Sequence, residues 1–240
     1  MICSKDFLWT DVMKNAFDNT RELYHSHDLF KGFQQQMLEH IMLTDDQQLK
    51  DFFTDEDYQI LDIFFKDSIK INLATLSKMK PFGVMSFVLL KHINCNGNTP
   101  VAYEEKLKSF AKDKNMPVKV LETVEEQMRI FDDMPKDSLA KMVMASITDL
   151  PKSRETFERM VNAYKNQDLI MLNREITKSS EYASHLDAML YKRNERWIPT
   201  IITAAKEKPT FFAVGAGHLA GRKGVLALLK EKGYSLEPVK

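Results

Sequence analysis

An apolar, β-prone run near the end of the chain leads directly into glycines and a histidine. The run is Thr210-Phe211-Phe212-Ala213-Val214, and Gly215-Ala216-Gly217-His218 follows it. Consecutive apolar residues that stop at a Gly-x-Gly turn are typical of a buried core strand at its carboxyl end. Open α/β sheets bind ligands at the carboxyl ends of their strands. The pattern therefore predicts a core strand of an α/β sheet, and it makes His218 the first candidate functional residue.

The composition indicates a folded domain and argues against two classes of partner. With 240 residues, 44% of them hydrophobic, the chain can supply a core, and we expect one domain over residues 1–240. Lys+Arg and Asp+Glu both number 34, so the zero net charge removes the general electrostatic argument for a nucleic-acid or anionic-membrane binder. The sequence has no run of 18 apolar residues and no basic segment followed by an apolar one at its start. We therefore expect no nucleic-acid partner, no transmembrane segment and no export signal within these residues.

The cysteine content leaves the cellular compartment open. Cys3 and Cys95 are the two cysteines in the sequence, and they could pair. Two cysteines are too few to define a disulfide framework or a thiolate metal site.

The rest of the chain is mostly helical in pattern, with a few separate strand signals. Residues 33–92 have helical spacing throughout, with Thr54 as a helix cap and Pro81 as a breaking or starting point, and we interpret them as a helical insertion. Strands are predicted at about 21–29, at 118–121, at 210–214 and finally at 234–239. Strands separated by helices form parallel or mixed sheets. The predicted fold class is therefore helix-rich α/β, with a mixed or parallel central sheet and a large helical insertion.

Three predicted strands end at residues that could carry chemistry. These are His25 to Asp28, Glu122, and Gly215 to His218. In a parallel sheet the carboxyl ends of the strands lie along one edge. We therefore expect these segments, distant in sequence, to meet in one crevice.

His25 and His27 are separated by one residue in a predicted strand. Side chains at i and i+2 of a strand share a face, so both imidazoles could bind one metal ion, with Asp28 beside them. Such a pair also arises by chance, so a purely structural role for both histidines remains open.

His218 and Glu122 also have ordinary alternatives. His218 could be a satisfied loop residue, although Gly215 and Gly217 permit close backbone approach and positive φ, which suit a ligand or metal site. Glu122 could serve only to begin the next helix, where an acid complements the helix dipole.

A predicted helix with Arg193 and Trp197 precedes the glycine-rich strand. These two residues lie four apart and share a face, while Asn194 is displaced toward the edge of that face. An arginine stacked on a tryptophan is common on protein surfaces, and alone it indicates no function.

The glycine-rich turn also satisfies a dinucleotide-binding pattern. Gly215-x-Gly217-x-x-Ala220 follows a predicted strand, and Glu237 lies about 20 residues later. Too few residues follow Glu237 to complete a nucleotide-binding half-domain, so we disfavour this function.

Several short motifs occur in a fixed order along nearly the whole chain. From the amino end they are Lys80-Pro81-Phe82, Leu121-Glu122-Thr123 with Glu126-Gln127, Arg193-Asn194-x-x-Trp197, and Phe211 to Gly221 followed by Gly224, Gly233-Tyr234 and Glu237-Pro238-Val239. Together they resemble the TraB/PrgY/GumN family, and the glycine-rich strand looks like the carboxyl signature of that family.

The resemblance implies a fold and a chemistry. Members of the family have an α/β core related to the erythromycin-esterase and ChaN proteins, and the TIKI branch consists of divalent-metal-dependent proteases. The family's site combines two G-x-x-H motifs, two glutamates and an arginine. By position, His218 matches the second motif's histidine, Glu122 the second glutamate and Arg193 the arginine, so these three are the expected catalytic residues.

The same resemblance implies a cofactor and a binding surface. The expected cofactor is a divalent ion such as Mn, Co or Zn, and the expected partner is a peptide or protein substrate. The expected substrate-binding residues are Asn194, Trp197, Gly215 and Gly217. The resemblance makes His218 and Glu122 the expected metal ligands, and the strand spacing described above adds His25 and His27.

Two departures from the family pattern concern the amino-terminal half of the site. The first G-x-x-H motif should come immediately before Ile2, and the first glutamate should fall near Ser26. We expect either an incomplete site, lacking an amino-terminal strand, or one in which His25, His27 or Asp28 substitutes as a ligand. A missing strand would also leave an exposed sheet edge through which two copies could pair. Related proteins are often exported or lipid-anchored, so the resemblance leaves the localisation open.

Two functions therefore remain as hypotheses. In the first, the protein is a metal-dependent hydrolase in which Glu122 is a base or ligand and Arg193 stabilises developing negative charge. In the second, it binds or sequesters peptides in the same crevice without turnover.

Overall fold

The computed structural model describes residues 2–26, 38–44, 46–93, 95, 97, 99–178 and 183–239. In these residues the strands are β1 (Ile2–Cys3), β2 (Glu22–His25), β3 (Pro100–Val101), β4 (Val118–Val120) and β5 (Thr210–Ala213). The named α-helices of the same residues are α1 (Asp11–Asp18), α2 (Asp55–Phe64), α3 (Pro81–His92), α4 (Tyr103–Asp113), α5 (Val124–Asp132), α6 (Lys136–Thr148), α7 (Leu150–Lys165), α8 (Leu169–Lys178), α9 (Lys192–Glu207) and α10 (Val225–Glu231). Within this described part, no helix is long and apolar enough to cross a bilayer.

The chain divides into two compact units. The first consists of the described residues of Met1–Phe30, Cys95–Thr123 and Arg159–Lys240, and the second of those of Lys31–Asn94 and Val124–Glu158. The second unit includes the region interpreted above as an insertion, residues 33–92, together with α5 and α6. The single domain over 1–240 and the insertion boundaries stay predictions.

A parallel sheet lies at the centre of the first unit. Its strand order is β4-β2-β5, and β2 pairs in parallel with both neighbours. His25 at the end of β2 is level with Val120 of β4 and with Ala213 of β5. Because the three strands are parallel and in this register, their carboxyl ends lie at one edge, as the sequence predicted. The predicted fold class, helix-rich α/β with a parallel sheet, is confirmed.

The two faces of this sheet bury alternate residues of each strand. Leu23 and Phe211 face a cluster with Phe17 of α1 and Leu107 of α4. Phe212, one residue along, packs on the other side against a cluster centred on α9 and α10. The residues of that second cluster are Trp197, Ile198, Ile201 and Val225. Because successive strand side chains point to opposite faces, the continuous apolar run of β5 is what two helix layers require.

Helix starts in the second unit follow the predicted signals. Thr54 caps α2, since its Oγ1 accepts a hydrogen bond from the Asp57 amide at 3.1 Å. Pro81 occupies the first turn of α3, where its missing amide hydrogen costs nothing. Both starts are confirmed.

Two secondary-structure predictions are wrong. The region 33–92 is not helical throughout: a π-helical turn over Phe65–Ile69 ends at Lys70 with φ 66°, which breaks the helix. Residues 234–239 form no strand. Gly233 ends α10 with φ 86°, and Pro238 has no amide hydrogen to donate to a sheet, so this alternating segment lacks a partner strand among the described residues.

A disulfide joins two distant parts of the first unit. Cys3 at the end of β1 is bonded to Cys95, 92 residues away in sequence. β1 also pairs antiparallel with β3, with Ile2 opposite Val101. The pairing that the sequence left open is therefore made, and it fastens a two-residue strand that could contribute little stability alone.

The central strand begins with a fully buried carboxylate. Glu22 is 0% exposed, and its Oε2 lies 3.0 Å from Lys119 Nζ and 3.1 Å from Lys208 Nζ. The Thr210 hydroxyl donates to Oε1 at 3.2 Å. Burial raises the pKa of Glu22, but hydrogen bonds from the two lysines and the threonine outweigh burial and hold the pKa below its ordinary value. The charge pairs thus tie the beginning of β2 to β4 and to the residues around the start of β5.

We expect reduction of the Cys3–Cys95 disulfide to lower the free energy of unfolding of the protein by about 2–4 kcal/mol, because the bond restricts a long loop in the unfolded chain. Urea denaturation with and without a thiol reductant measures this. The Cys3→Ser/Cys95→Ser double variant is the control and should not respond to reductant. An unchanged midpoint for the reduced wild type would contradict the expectation.

We expect Glu22→Gln to destabilise the protein by about 1–3 kcal/mol at neutral pH, because it removes hydrogen bonds to a charged, buried group. Since the pKa of Glu22 is lowered by folding, its stabilisation is present above the unfolded pKa of about 4.3 and is lost as the pH falls through the folded value. Denaturation at pH 7 and near pH 3 should show the wild-type and variant curves converging in acid. Glu125→Gln, in an exposed ion pair, is the control and should cost less than about 1 kcal/mol.

Candidate functional site

The candidate site lies where β4 and β5 end, beside the first turns of α9. Leu121 and Glu122 follow β4 directly, and Gly215 opens a 3₁₀ turn, Ala216–His218, just after β5. Glu122 is 4% exposed and His218 is 6% exposed. All these segments belong to the first unit.

One face of α9 carries both the core residues and the polar residues of the site. Arg193, Asn194 and Trp197 are buried in the first turns, and Ile198, Ile201 and Ala204 continue the same face. This spacing is that of a helix stripe, so packing of the apolar residues on β5 and α10 fixes where the polar residues lie. The sequence placed Arg193 and Trp197 on one face correctly.

Glu122 is held by three donors from α9. Arg193 Nε lies 3.1 Å from each carboxylate oxygen, and Arg193 Nη2 donates to Oε1 at 2.5 Å. The Trp197 indole Nε1 donates to Oε2 at 3.3 Å. Arg193 Nη1 donates to the Met189 carbonyl at 2.8 Å. Both carboxylate oxygens are therefore engaged, and the end of β4 is joined to α9 by a buried ion pair.

His218 is held by Asn194 and packs on Trp197. Its Nδ1 lies 2.7 Å from Asn194 Oδ1. The Asn194 amide nitrogen donates to the backbone carbonyls of His218, at 3.3 Å, and Lys223, at 2.8 Å. The imidazole and indole centroids are 4.5 Å apart. One asparagine thus fixes both the ring and the backbone of His218.

The electrostatic environment keeps His218 neutral. Burial lowers the pKa of His218, and the positive charge of Arg193 lowers it further, to about 3. At neutral pH the imidazole therefore carries one proton and presents one nitrogen lone pair. A neutral imidazole is the form that binds a metal ion or accepts a proton.

The glycines around His218 differ in what they require. Gly215 has φ −57°, and Gly217 does not have a positive φ either. The positive φ that the sequence suggested for these two glycines is therefore not found. Gly221 has φ 88°. A Cβ on Gly224 would lie 2.3 Å from the Ala220 carbonyl oxygen, so only glycine fits there. The positive φ of this region therefore belongs to Gly221, and a role of Gly215 and Gly217 in substrate binding stays a prediction.

Of the two histidines predicted to share a strand face, His25 belongs to the described residues. His25 is the last residue of β2, is 1% exposed, and shares the sheet face of Leu23, the face covered by α1 and α4. His218 instead contacts Trp197 of α9, on the other side. His27 and Asp28 lie outside the described residues, so their pairing with His25 stays a prediction.

The residues of this cluster fit one position of a divalent-metal site. The Nε2 atom of His218 is the ring nitrogen that Asn194 leaves available, on a neutral imidazole. Glu122 has both oxygens engaged by Arg193 and Trp197. Across the described residues, no group of three or more His, Cys, Asp and Glu side chains could hold a metal ion. The described part of the chain therefore offers His218 as a ligand but does not supply a complete coordination shell.

Asn194 is the residue whose role sequence reasoning missed. Its expected contact with substrate stays a prediction; the structure shows that it is 1% exposed and that its amide is bonded to His218 and to the backbone of Lys223. An asparagine on the buried stripe of a helix, one residue after an arginine, was the available signal.

Known relatives match parts of this chain. This chain is 44% identical to Metalloprotease TIKI2 of Xenopus tropicalis over 52 residues, and the match covers 20% of this chain and 10% of the relative. This chain is 27% identical to a Metalloprotease TIKI homolog of Amphimedon queenslandica over 146 residues, and this match covers 50% of this chain and 29% of the relative. A Metalloprotease TIKI homolog of Nematostella vectensis is 38% identical over 55 residues, or 22% of this chain and 12% of the relative. These matches thus span less than a third of each relative's length. No solved structure gives a significant match.

The family comparison covers almost the entire sequence. The profile described as the TraB/PrgY/gumN family matches residues 3–238, which include Glu122, Arg193 and His218. The resemblance inferred from the ordered motifs is therefore confirmed, and this chain belongs to the TraB/PrgY/gumN family.

Proposed function

We propose that the protein hydrolyses peptides or proteins with the help of a divalent metal ion, such as Mn, Co or Zn, and that Nε2 of His218 is one ligand of that ion. Family membership and the metalloprotease relatives support the reaction class. The observation that carries the assignment to this cluster is the buried, neutral His218 at the carboxyl end of a parallel strand, held through Nδ1 by Asn194. Metal-binding histidines characteristically use one ring nitrogen for the ion and the other for such a partner.

The side chains of the cluster divide the work in this proposal. When bound, a divalent ion polarises a peptide carbonyl and lowers the pKa of a coordinated water. Arg193 supplies a fixed positive charge close to His218, which favours the neutral imidazole and opposes protonation of a ligand nitrogen. Its charge would also favour negative charge that develops on substrate nearby.

Glu122 is a positioning residue in this proposal. Its two oxygens hold Arg193 and the Trp197 indole, which in turn supports the imidazole of His218. A carboxylate that accepts bonds from a guanidinium and an indole is poorly placed to act as a base at the same time. The indole ring of Trp197 packs beside the imidazole of His218, with the ring centroids 4.5 Å apart.

A second candidate function is peptide binding without turnover. One observation favours it: among the described residues, no group of three or more His, Cys, Asp and Glu side chains could hold a metal ion. A crevice that holds an extended peptide next to His218 would then act by sequestration. Cleavage and binding measured on the same peptide distinguish the two functions.

We expect purified protein supplied with Mn²⁺, Co²⁺ or Zn²⁺ to cleave members of a fluorogenic peptide library, and His218→Gln to lower the rate by more than about 100-fold, since loss even of an outer-sphere partner costs 10–100-fold. His185→Gln, a half-exposed histidine, is the control and should keep its activity. Calorimetric titration of metal into the same variants should show binding lost only in His218→Gln. Retained peptide binding with no metal-dependent cleavage would overturn the hydrolase proposal and support sequestration.

We expect Glu122→Gln to destabilise the protein by about 3–5 kcal/mol, because it leaves the buried Arg193 guanidinium without its counter-charge. The Glu122→Gln/Arg193→Gln double variant should lose less stability than the sum of the single variants, as chemical denaturation would measure. Asp137→Asn, from an exposed ion pair with Lys141, is the control and should change stability by less than about 1 kcal/mol. Additive effects of the two substitutions would argue against the positioning role of Glu122.

A further inference from the structure

We infer that Asn194 is a positioning residue that selects the tautomer of His218. In this tautomer Nδ1 carries the ring proton and donates a hydrogen bond to Asn194 Oδ1, and Nε2 keeps its lone pair. The inference rests on the proposed function only for the use made of that lone pair; the tautomer follows from the hydrogen bonds alone.

The orientation of the Asn194 amide is fixed by two carbonyl groups. The backbone oxygens of His218 and Lys223 lie 3.3 and 2.8 Å from Nδ2. Carbonyl oxygens only accept hydrogen bonds, so the amide nitrogen, which has two hydrogens, must face them. The reverse orientation would place the amide oxygen against both carbonyls, with no hydrogen between the oxygens. Oδ1 is thus directed at the imidazole.

The orientation of Asn194 then decides the state of the ring. Oδ1 lies 2.7 Å from His218 Nδ1, and an amide oxygen accepts but cannot donate. Nδ1 must therefore be the protonated nitrogen. Because a neutral imidazole has a single ring proton, Nε2 is left with its lone pair. The asparagine thereby leaves one nitrogen lone pair available to a metal ion.

The same bonds remove Asn194 from the surface that substrate could contact. The residue is 1% exposed, and both amide hydrogens are used within the protein. They also join the 3₁₀ turn of His218 to Lys223, next to the obligatory Gly224. This turn and the loop after it are thus held as one piece against α9, which limits the freedom of the imidazole as well as its tautomer.

The tautomer can be read directly from long-range ¹H–¹⁵N correlation spectra of the wild-type protein, labelled with ¹⁵N in its imidazoles, at pH 7. The sequence contains six histidines, and the His218→Ala spectrum identifies the resonances of this one. We expect a protonated Nδ1 and an unprotonated Nε2, with the bias toward this tautomer at least about tenfold, as one buried hydrogen bond supplies. A protonated Nε2 in the wild type would overturn the inference without any need for a variant.

The variant Asn194→Leu keeps the approximate size of the side chain and removes every hydrogen bond that the Asn194 side chain makes. We expect it to lose the bias toward protonated Nδ1 by about tenfold. Asn162→Leu, at an exposed position of α7, is the matched control and should leave the spectrum unchanged. If Asn194→Leu folds and keeps the wild-type tautomer, Asn194 does not select it. If Asn194→Leu fails to fold, the wild-type spectrum still decides.

The outcome is separable from that of the proposed function. Protonated Nδ1 in a protein that neither binds metal nor cleaves peptides would support the role of Asn194 and contradict the hydrolase proposal. In a protein that does bind metal, Asn194→Leu should also lower metal affinity by about 10–100-fold, the range typical for outer-sphere partners of a ligating histidine.

Discussion

The buried ion pair between Arg193 and Glu122 is the interaction on which the rest of the candidate site depends. The Glu122 side chain is 2% exposed and that of Arg193 10%, so each charge has given up most of its hydration. Removing two charges from water is expensive, and their attraction compensates only with good geometry and further hydrogen bonds. Here those bonds come from the Trp197 indole and the Met189 carbonyl. The end of β4 and the start of α9 are consequently held at one fixed distance, and the environment of His218 is defined by that arrangement.

The state of His218 follows from this arrangement and from burial. An imidazole in an apolar environment is already harder to protonate, and the neighbouring guanidinium adds repulsion for a second positive charge. Glu122, whose charge would act in the opposite direction, is directed at Arg193 and Trp197. Asn194 then offers an uncharged acceptor for the single ring proton. The result is a histidine that is buried, neutral and fixed in orientation, which are the conditions that a metal ligand needs.

Much of the fold could be predicted because it depends on local patterns. The apolar run of β5, the Thr54 cap and Pro81 each act through neighbouring residues, and each is found where the sequence placed it. The wrong predictions concern segments whose fate depends on distant partners. Residues 234–239 alternate like a strand but have no strand beside them among the described residues, and a left-handed residue, Lys70, interrupts the helical pattern of the second unit.

The sequence by itself determined which side chains would be available and that β4 and β5 would end near one another, because parallel strands separated by helices share one carboxyl edge. Family resemblance selected Glu122, Arg193 and His218 from the many polar residues present. Only the tertiary structure decided how those residues are used. It engaged both oxygens of Glu122, brought Cys3 to Cys95 and turned Asn194 inward toward His218. These outcomes depend on hydrogen bonds and packing between segments 24 to 92 residues apart, and nothing local to any one segment encodes them.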